Sequence, residues 1–198
     1  MKYTPQPTEE EIAAVFERQV ERTRQAQNEA GYNVSAERER VETLSQRYGS
    51  PALDVGTGAC ACMAVAMARR GLSVMAIDHA SSAVRLAQER ATGGLSGRLE
   101  VRFVDAVRLP FPDHSYRVVT MFDALCHAAH PKLVVKEVFR VCARRGAVLI
   151  TELNAAGRQI TRHLNEGFEE KLPAFLAPHC RDCQQLDSAY HITYVCET

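Results

Sequence analysis

Three acidic residues each close an apolar run in this chain, and two glycines follow the first of them. Ala52-Leu53-Asp54-Val55-Gly56-Thr57-Gly58-Ala59-Cys60 passes from apolar residues to a carboxylate, through glycines two apart, into the alanine-rich stretch 61–70. Val74-Met75-Ala76-Ile77 ends on Asp78, and the run from Leu99 to Val104 ends on Asp105. Glycines adopt backbone conformations that other residues resist, and they let a ligand come close to the main chain. A helix opening behind such a turn presents unpaired N–H groups and a positive dipole end. The chemistry on offer is the binding of a polar small molecule across strand ends.

Two ligand classes use a turn of this kind. Gly56-x-Gly58-x-x-Ala61 satisfies the dinucleotide pattern G-x-G-x-x-G/A, and Asp78 lies 20 residues after Gly58 (78 − 58), where a ribose-binding acid is expected. Asp54 argues the other way, because its carboxylate would lie close to an anionic pyrophosphate. S-adenosylmethionine has no phosphate; it carries a cationic sulfonium and an ammonium group, which a carboxylate attracts. The acid favours S-adenosylmethionine.

Asp54-x-Gly56-x-Gly58, then Asp78, then Asp105 followed by Leu109-Pro110-Phe111, resembles the class I S-adenosylmethionine-dependent methyltransferase family over about Ser50 to Glu152. The resemblance implies S-adenosyl-L-methionine as cofactor. It implies that Asp54, Gly56, Thr57 and Gly58 form the cofactor turn, with Cys60 where the family commonly places a small residue. Asp78 would take the two ribose hydroxyls, and His79 would lie against the adenine. Asp105 would accept from the adenine amino group, the Ala106 N–H would meet a ring nitrogen, and Phe122 would face the methyl donor. Two departures stand out: Arg117 replaces a usual Asp, and Arg144-Arg145-Gly146 is a loose match to the family's Pro-Gly-Gly turn.

The segment after Phe122 lines the meeting point of donor and acceptor in that fold. In Asp123-Ala124-Leu125-Cys126-His127 the histidine is the candidate general base, since an unperturbed imidazole titrates near pH 6.5. Asp123 and Cys126 are further candidates. His130 is placed at a helix start, because Pro131 suits the first helical position.

The elements that must hold these residues follow from periodicity and stop signals. Thr8-x-x-Glu11 is a capping box, and Ile12, Val15, Phe16 and Val20 follow at helical spacing, so a helix is expected over 9–29, ended by Gly31. A second is expected over 36–48. Strands are expected at 52–55, 72–77, 99–104, 118–122 and 147–151, with helices at 60–70, 80–91 and 131–143 between them and a turn at Gly93-Gly94-x-x-Gly97. A helix over 155–171 using Ile160, Leu164 and Phe168, a break at 173–178, and an antiparallel strand pair at 183–188 and 190–196 complete the chain. The expected fold is a single α/β domain over 1–198, with a helical cap at 1–49, a cofactor-binding core at 50–152 and a C-terminal helix and strand pair at 153–198. It is doubly wound and Rossmann-like, with a seven-stranded, mostly parallel sheet. The resemblance implies strand order 3-2-1-4-5-7-6.

Composition narrows the partners. Hydrophobic residues at 46% and charged residues at 24% are ordinary globular values. With 24 basic and 24 acidic residues, no charge excess draws bulk nucleic acid. No apolar run nears membrane-spanning length, and Met1 to Pro5 lacks the apolar core of a secretory signal. The seven cysteines are therefore expected to be reduced thiols in a cytoplasmic protein. Cys60-x-Cys62 has no second pair at zinc spacing. His179-Cys180-x-x-Cys183 with distant Cys196 could hold zinc or bind a soft metalloid, which leaves a metal or metalloid binder centred on these cysteines as one further alternative; the spacing lacks a clear second half, so ordinary thiols and no resident metal are expected. The leading reading is methyl transfer to a small-molecule acceptor by a monomer or homodimer. The alternatives are a non-catalytic binder of S-adenosylmethionine or S-adenosylhomocysteine, and an NAD(P)-dependent oxidoreductase.

Overall fold

Seven strands form one sheet in the computed structural model, and the first strand, buried along its whole length, lies inside it between the second and the fourth. The structure describes residues 14, 18, 21–22, 25–91, 94–161 and 167–198. The expected capping box at Thr8 and Glu11, Ile12, Val15, Phe16 and Val20, and also Gly93 and Leu164, lie outside the described residues. Residues 25–29 are helical, and Gly31 ends that helix at φ 67° with Tyr32 N donating to Gln27 O.

The elements in order are α1 (Val34–Gln46), β1 (Ala52–Val55), α2 (Cys62–Arg69), β2 (Ser73–Asp78), α3 (Ser81–Arg90), β3 (Arg98–Phe103), β4 (Tyr116–Phe122) and α4 (Pro131–Val141). Then come β5 (Cys142–Leu153), α5 (Ala155–Thr161), α6 (Phe168–Leu176), β6 (Asp182–Asp187) and β7 (His191–Glu197). The sheet order is β3-β2-β1-β4-β5-β7-β6, with β7 antiparallel to both β5 and β6. The doubly wound, mostly parallel α/β fold expected from the chain is the fold observed.

Alternation along the strands divides the core into two layers. Leu53, Val55, Val119, Met121, Val148 and Ile150 pack on one face, beneath α4 and α6. Ala52, Val118, Ala147 and Leu149 pack on the other, beneath α1, α2 and α3. α1 starts two residues earlier than its periodicity suggested, because Asn33 Oδ1 caps it by accepting from Ala36 N at 3.1 Å.

Three further expectations are corrected by the structure. The helix expected over 155–171 is two helices, α5 and α6, and the expected break at 173–178 falls largely inside α6. Pro173 removes one helical hydrogen bond there, but Leu172 and Leu176, four apart, are both buried on one face and hold the helix against the core. β5 begins at Cys142 rather than 147 and runs through the arginine pair. Gly146 is required in that stretch: a Cβ on it would lie 2.6 Å from Arg117 O and 2.8 Å from Ala143 O. Arg117 is absorbed structurally, its Nε donating to Tyr48 O at 3.2 Å and its N to Pro51 O at 2.8 Å. The third difference is the expected set of reduced thiols. Cys183 and Cys196 stand opposite each other in the β6–β7 register and are joined by a disulfide; the other five cysteines form no disulfide.

Candidate active site

The glycine turn is built as the spacing demanded. Gly56 and Gly58 take φ of 74° and 61°, in the left-handed region that glycine adopts without cost. The N–H groups of Gly56 and Thr57 both donate to Ile77 O, at 2.9 and 3.0 Å, tying the turn to β2. A Cβ on Gly56 would lie 2.5 Å from Ala124 Cβ, so the loop after β4 closes directly over the turn. A Cβ on Gly58 would meet nothing within 4 Å, so this glycine faces open space.

Asp54 lies beneath the turn, buried, with Oδ1 accepting from Thr120 Oγ1 at 2.7 Å. Burial pushes its carboxyl up to about 6, and the hydrogen bond from Thr120 offsets part of that rise. Asp54 Oδ2 and Thr57 Oγ1 have no hydrogen-bond partner among the described residues. A buried carboxyl with a partnerless oxygen fits a ligand that carries a cationic amine, which supplies both the donor and the compensating charge. The dinucleotide reading requires an anion close to this carboxyl instead.

Asp78 links the turn to the end of β2. Its Oδ2 accepts from Gly58 N at 2.9 Å and its Oδ1 from Ala80 N at 3.0 Å. These bonds use two of a carboxylate's roughly four acceptor positions, leaving capacity for a ligand's hydroxyls. His79 is exposed, with Nδ1 3.7 Å from Asp78 Oδ1. Asp105 is exposed at the end of β3, where Oδ1 accepts from Val107 N at 3.0 Å and fixes the turn that carries Ala106. Asp54, Asp78 and Asp105 thus close β1, β2 and the loop after β3, along one edge of the sheet.

Cys60 remains in the loop ahead of α2. A hydrogen bond from the Cys62 thiol, with help from Arg38, pulls the Cys60 thiol down to about 6 against its burial, while Cys62 is pushed up. Arg38 also sits 5.5 Å from the centroid of the Phe122 ring. That stacking fixes the half-buried Phe122 at the end of β4.

The structure gathers a polar network beside this turn that sequence reasoning did not assemble. Asp123, in a left-handed conformation at φ 49°, turns the chain out of β4, with its N donating to Thr151 O. Both its carboxylate oxygens lie 3.1 Å from His191 Nε2. His191 is fully buried, and the Tyr32 hydroxyl is in hydrogen-bond contact with both of its ring nitrogens. Phe122 and Tyr32 rings flank the imidazole. Burial raises the Asp123 carboxyl well above its ordinary value, with Glu152 adding to the effect, and burial lowers His191 to about 4. The low dielectric around the pair disfavours charge on either partner.

Glu152, at the end of β5, is buried and pushed up to about 7 by that burial; its Oε1 accepts from Leu125 N at 2.8 Å and Cys126 N at 3.2 Å. It therefore anchors the short 3₁₀ turn Leu125–His127. His127 ends that turn with an exposed side chain, yet the atoms crowded behind it lower its pKa by desolvation. Desolvation thus favours its neutral form. His130 precedes Pro131 at the start of α4, as its spacing indicated.

Glu152 carried a legible signal, since it too ends an apolar strand. Tyr32 and His191, 159 residues apart, carried none, because only the sheet topology brings them together.

A methyltransferase-domain family model matches residues 53–150. A ubiquinone/menaquinone biosynthesis C-methyltransferase of Pseudomonas putida is 28% identical over 58% of this chain and 46% of its own. A ubiquinone biosynthesis O-methyltransferase of Pseudomonas fluorescens is 30% identical over 58% of this chain and 50% of its own. The chain thus spans about half the length of these curated relatives. A solved structure from Methanococcus maripaludis, 12% identical, matches 100% of this chain and 97% of its own at a TM-score of 0.70, and shares the fold.

Proposed function

This chain belongs to the class I S-adenosylmethionine-dependent methyltransferase family, and we propose that it transfers a methyl group from S-adenosylmethionine to a small-molecule acceptor. The single observation that carries the reading is the buried Asp54 carboxyl, whose Oδ2 has no hydrogen-bond partner among the described residues, in the strand that leads into the glycine turn. Asp54 and Thr57 would hold the ammonium end of the cofactor, and Asp78 its ribose hydroxyls. Asp105 and the Ala106 N–H would hold the adenine, while His79 and Cys60 would border it. Bound S-adenosylmethionine supplies an electrophilic methyl group.

The remaining work belongs to the acceptor side. Burial and the closed loop over Gly56 exclude water, and fixed placement supplies much of the acceleration in a displacement of this kind. An acceptor that attacks through oxygen or carbon must lose a proton. The Asp123–His191 pair, beside Ala124 and the glycine turn, is placed to take one: the Asp123 carboxylate is the more exposed partner, and its raised pKa makes it the stronger base of the two, with His191 holding it in place. Tyr32 orients the imidazole. His127, whose neutral form desolvation favours, is the second candidate base. The two relatives named for C- and O-methylation in quinone biosynthesis support an acceptor of the deprotonating class, such as a phenol or an enolisable carbon acid.

The test is release of S-adenosylhomocysteine when the protein is incubated with S-adenosylmethionine and hydroxylated aromatic acceptors. Turnover that is lost in Asp123→Asn, with S-adenosylhomocysteine affinity retained, is the expected result. Saturable binding with no turnover on any such acceptor would favour the non-catalytic binder.

A further inference from the structure

At the opposite end of the β5–β7 ladder from His191, the fold brings three sulfur atoms together. Cys196 pairs with Val148 in β5 and with Cys183 in β6, whereas His191 pairs with Leu153. Cys180, just beyond α6, completes the group: the sulfurs of Cys180, Cys183 and Cys196 all lie within 4.8 Å of one another. Cys183 and Cys196 are joined as a disulfide, and Cys180 is a free thiol whose Sγ donates to Leu176 O at 3.4 Å. No histidine or carboxylate among the described residues joins the cluster.

We propose that, once the disulfide is reduced, Cys180, Cys183 and Cys196 form a three-thiolate site for a trivalent thiophilic ion such as arsenic(III). The choice of charge follows from the surroundings. Cys196 is fully buried, and Cys180 and Cys183 are half-buried against the apolar core. Three thiolates around a trivalent centre sum to zero, whereas a divalent ion leaves one uncompensated negative charge in a low dielectric. A divalent zinc ion also wants a fourth ligand, which the cluster does not supply. Cys180 opens onto a cavity of about 350 Å³ that Arg144 and Arg181 also line. Those cations repel a free divalent metal but not a neutral trihydroxide.

The exchange balances without electron transfer. Arsenic trihydroxide meets three thiols; three arsenic–oxygen bonds break, three arsenic–sulfur bonds form, and each thiol proton leaves with a hydroxide as water. The prior reduction is by a phosphine, which takes oxygen from water and becomes its oxide as the disulfide gives two thiols. This cluster shares no residue with the candidate active site, so the inference stands apart from the proposed methyl transfer.

The test uses the full chain reduced by a phosphine and incubated with sodium arsenite, followed by native mass spectrometry and a count of titratable thiols. One bound arsenic per chain with the loss of three titratable thiols is expected, and unreduced protein should lose none at this site. Cys180→Ser should lose that stoichiometry while keeping the wild-type melting curve, and Cys60→Ala/Cys62→Ala should retain it. The wild-type count alone decides if a variant fails to fold. No bound arsenic, a loss of only two thiols, undiminished binding in Cys180→Ser, or preferential uptake of zinc by the reduced protein would each overturn the proposal.

Discussion

Asp54 and Glu152 are buried carboxyl groups at strand ends, and each makes a pH-dependent prediction. Asp54 titrates at about 6 and would meet a cationic amine only when ionised. Affinity for S-adenosylhomocysteine is therefore expected to hold at mildly alkaline pH and to fall as pH drops through about 6, an effect that calorimetric titration across that window would read. Asp54→Asn should flatten the dependence and weaken binding throughout. Glu152 is raised from 4.5 to about 7. A raised carboxyl contributes stability below its unfolded pKa and loses it as pH rises through the folded value. Glu152→Gln keeps an acceptor for Leu125 N without that titration, so it should gain thermal stability relative to wild type on going from acid to alkaline pH. A melting-temperature difference that does not move with pH would contradict the assignment. Asp78→Ala should weaken cofactor binding and also cost stability, on the order of 1–3 kcal/mol, because it strands the Gly58 and Ala80 N–H groups.

The glycine turn and α6 make the predictions that belong to elements. Gly56 and Gly58 share a left-handed backbone but differ in surroundings. Gly56→Ala would drive a Cβ against Ala124 and should cost stability and binding together, whereas Gly58→Ala meets no protein atom and should cost roughly 1 kcal/mol for its backbone while blocking the ligand. Denaturant unfolding beside ligand titration separates the two. In α6, Leu172 is fully buried in the core cluster that also holds residues of α4, β4 and β5. Leu172→Ala should lose about 2–5 kcal/mol of stability, measured by the urea midpoint, and leave cofactor affinity nearly unchanged because α6 supplies none of the candidate cofactor residues.

Across the whole molecule, what was legible in the chain was whatever is written locally. Asp54, Gly56, Gly58, Asp78 and Asp105 each end an apolar run or make a turn within a few residues of it, so strand, turn and ligand edge could all be read together. Pro131 and Gly31 placed helix ends for the same reason. The Asp123–His191–Tyr32 network was not legible, since its members come from the end of β4, the start of β7 and the segment before α1, and only the sheet order joins them. The Cys183–Cys196 disulfide was missed likewise: the spacing of 13 residues says nothing until β6 and β7 pair in register. Pro173 misled because the local loss of a hydrogen bond was weighed without the burial of Leu172 and Leu176 that outweighs it.

The most direct test of the central claim is calorimetric titration of the wild-type chain and Asp54→Asn with S-adenosylhomocysteine, run beside NAD. The site described above predicts one saturable S-adenosylhomocysteine site in the wild type, weakened in Asp54→Asn, and no saturable heat with NAD. Saturable binding of NAD alone, or S-adenosylhomocysteine affinity unchanged in Asp54→Asn, would contradict the place given to that buried carboxyl.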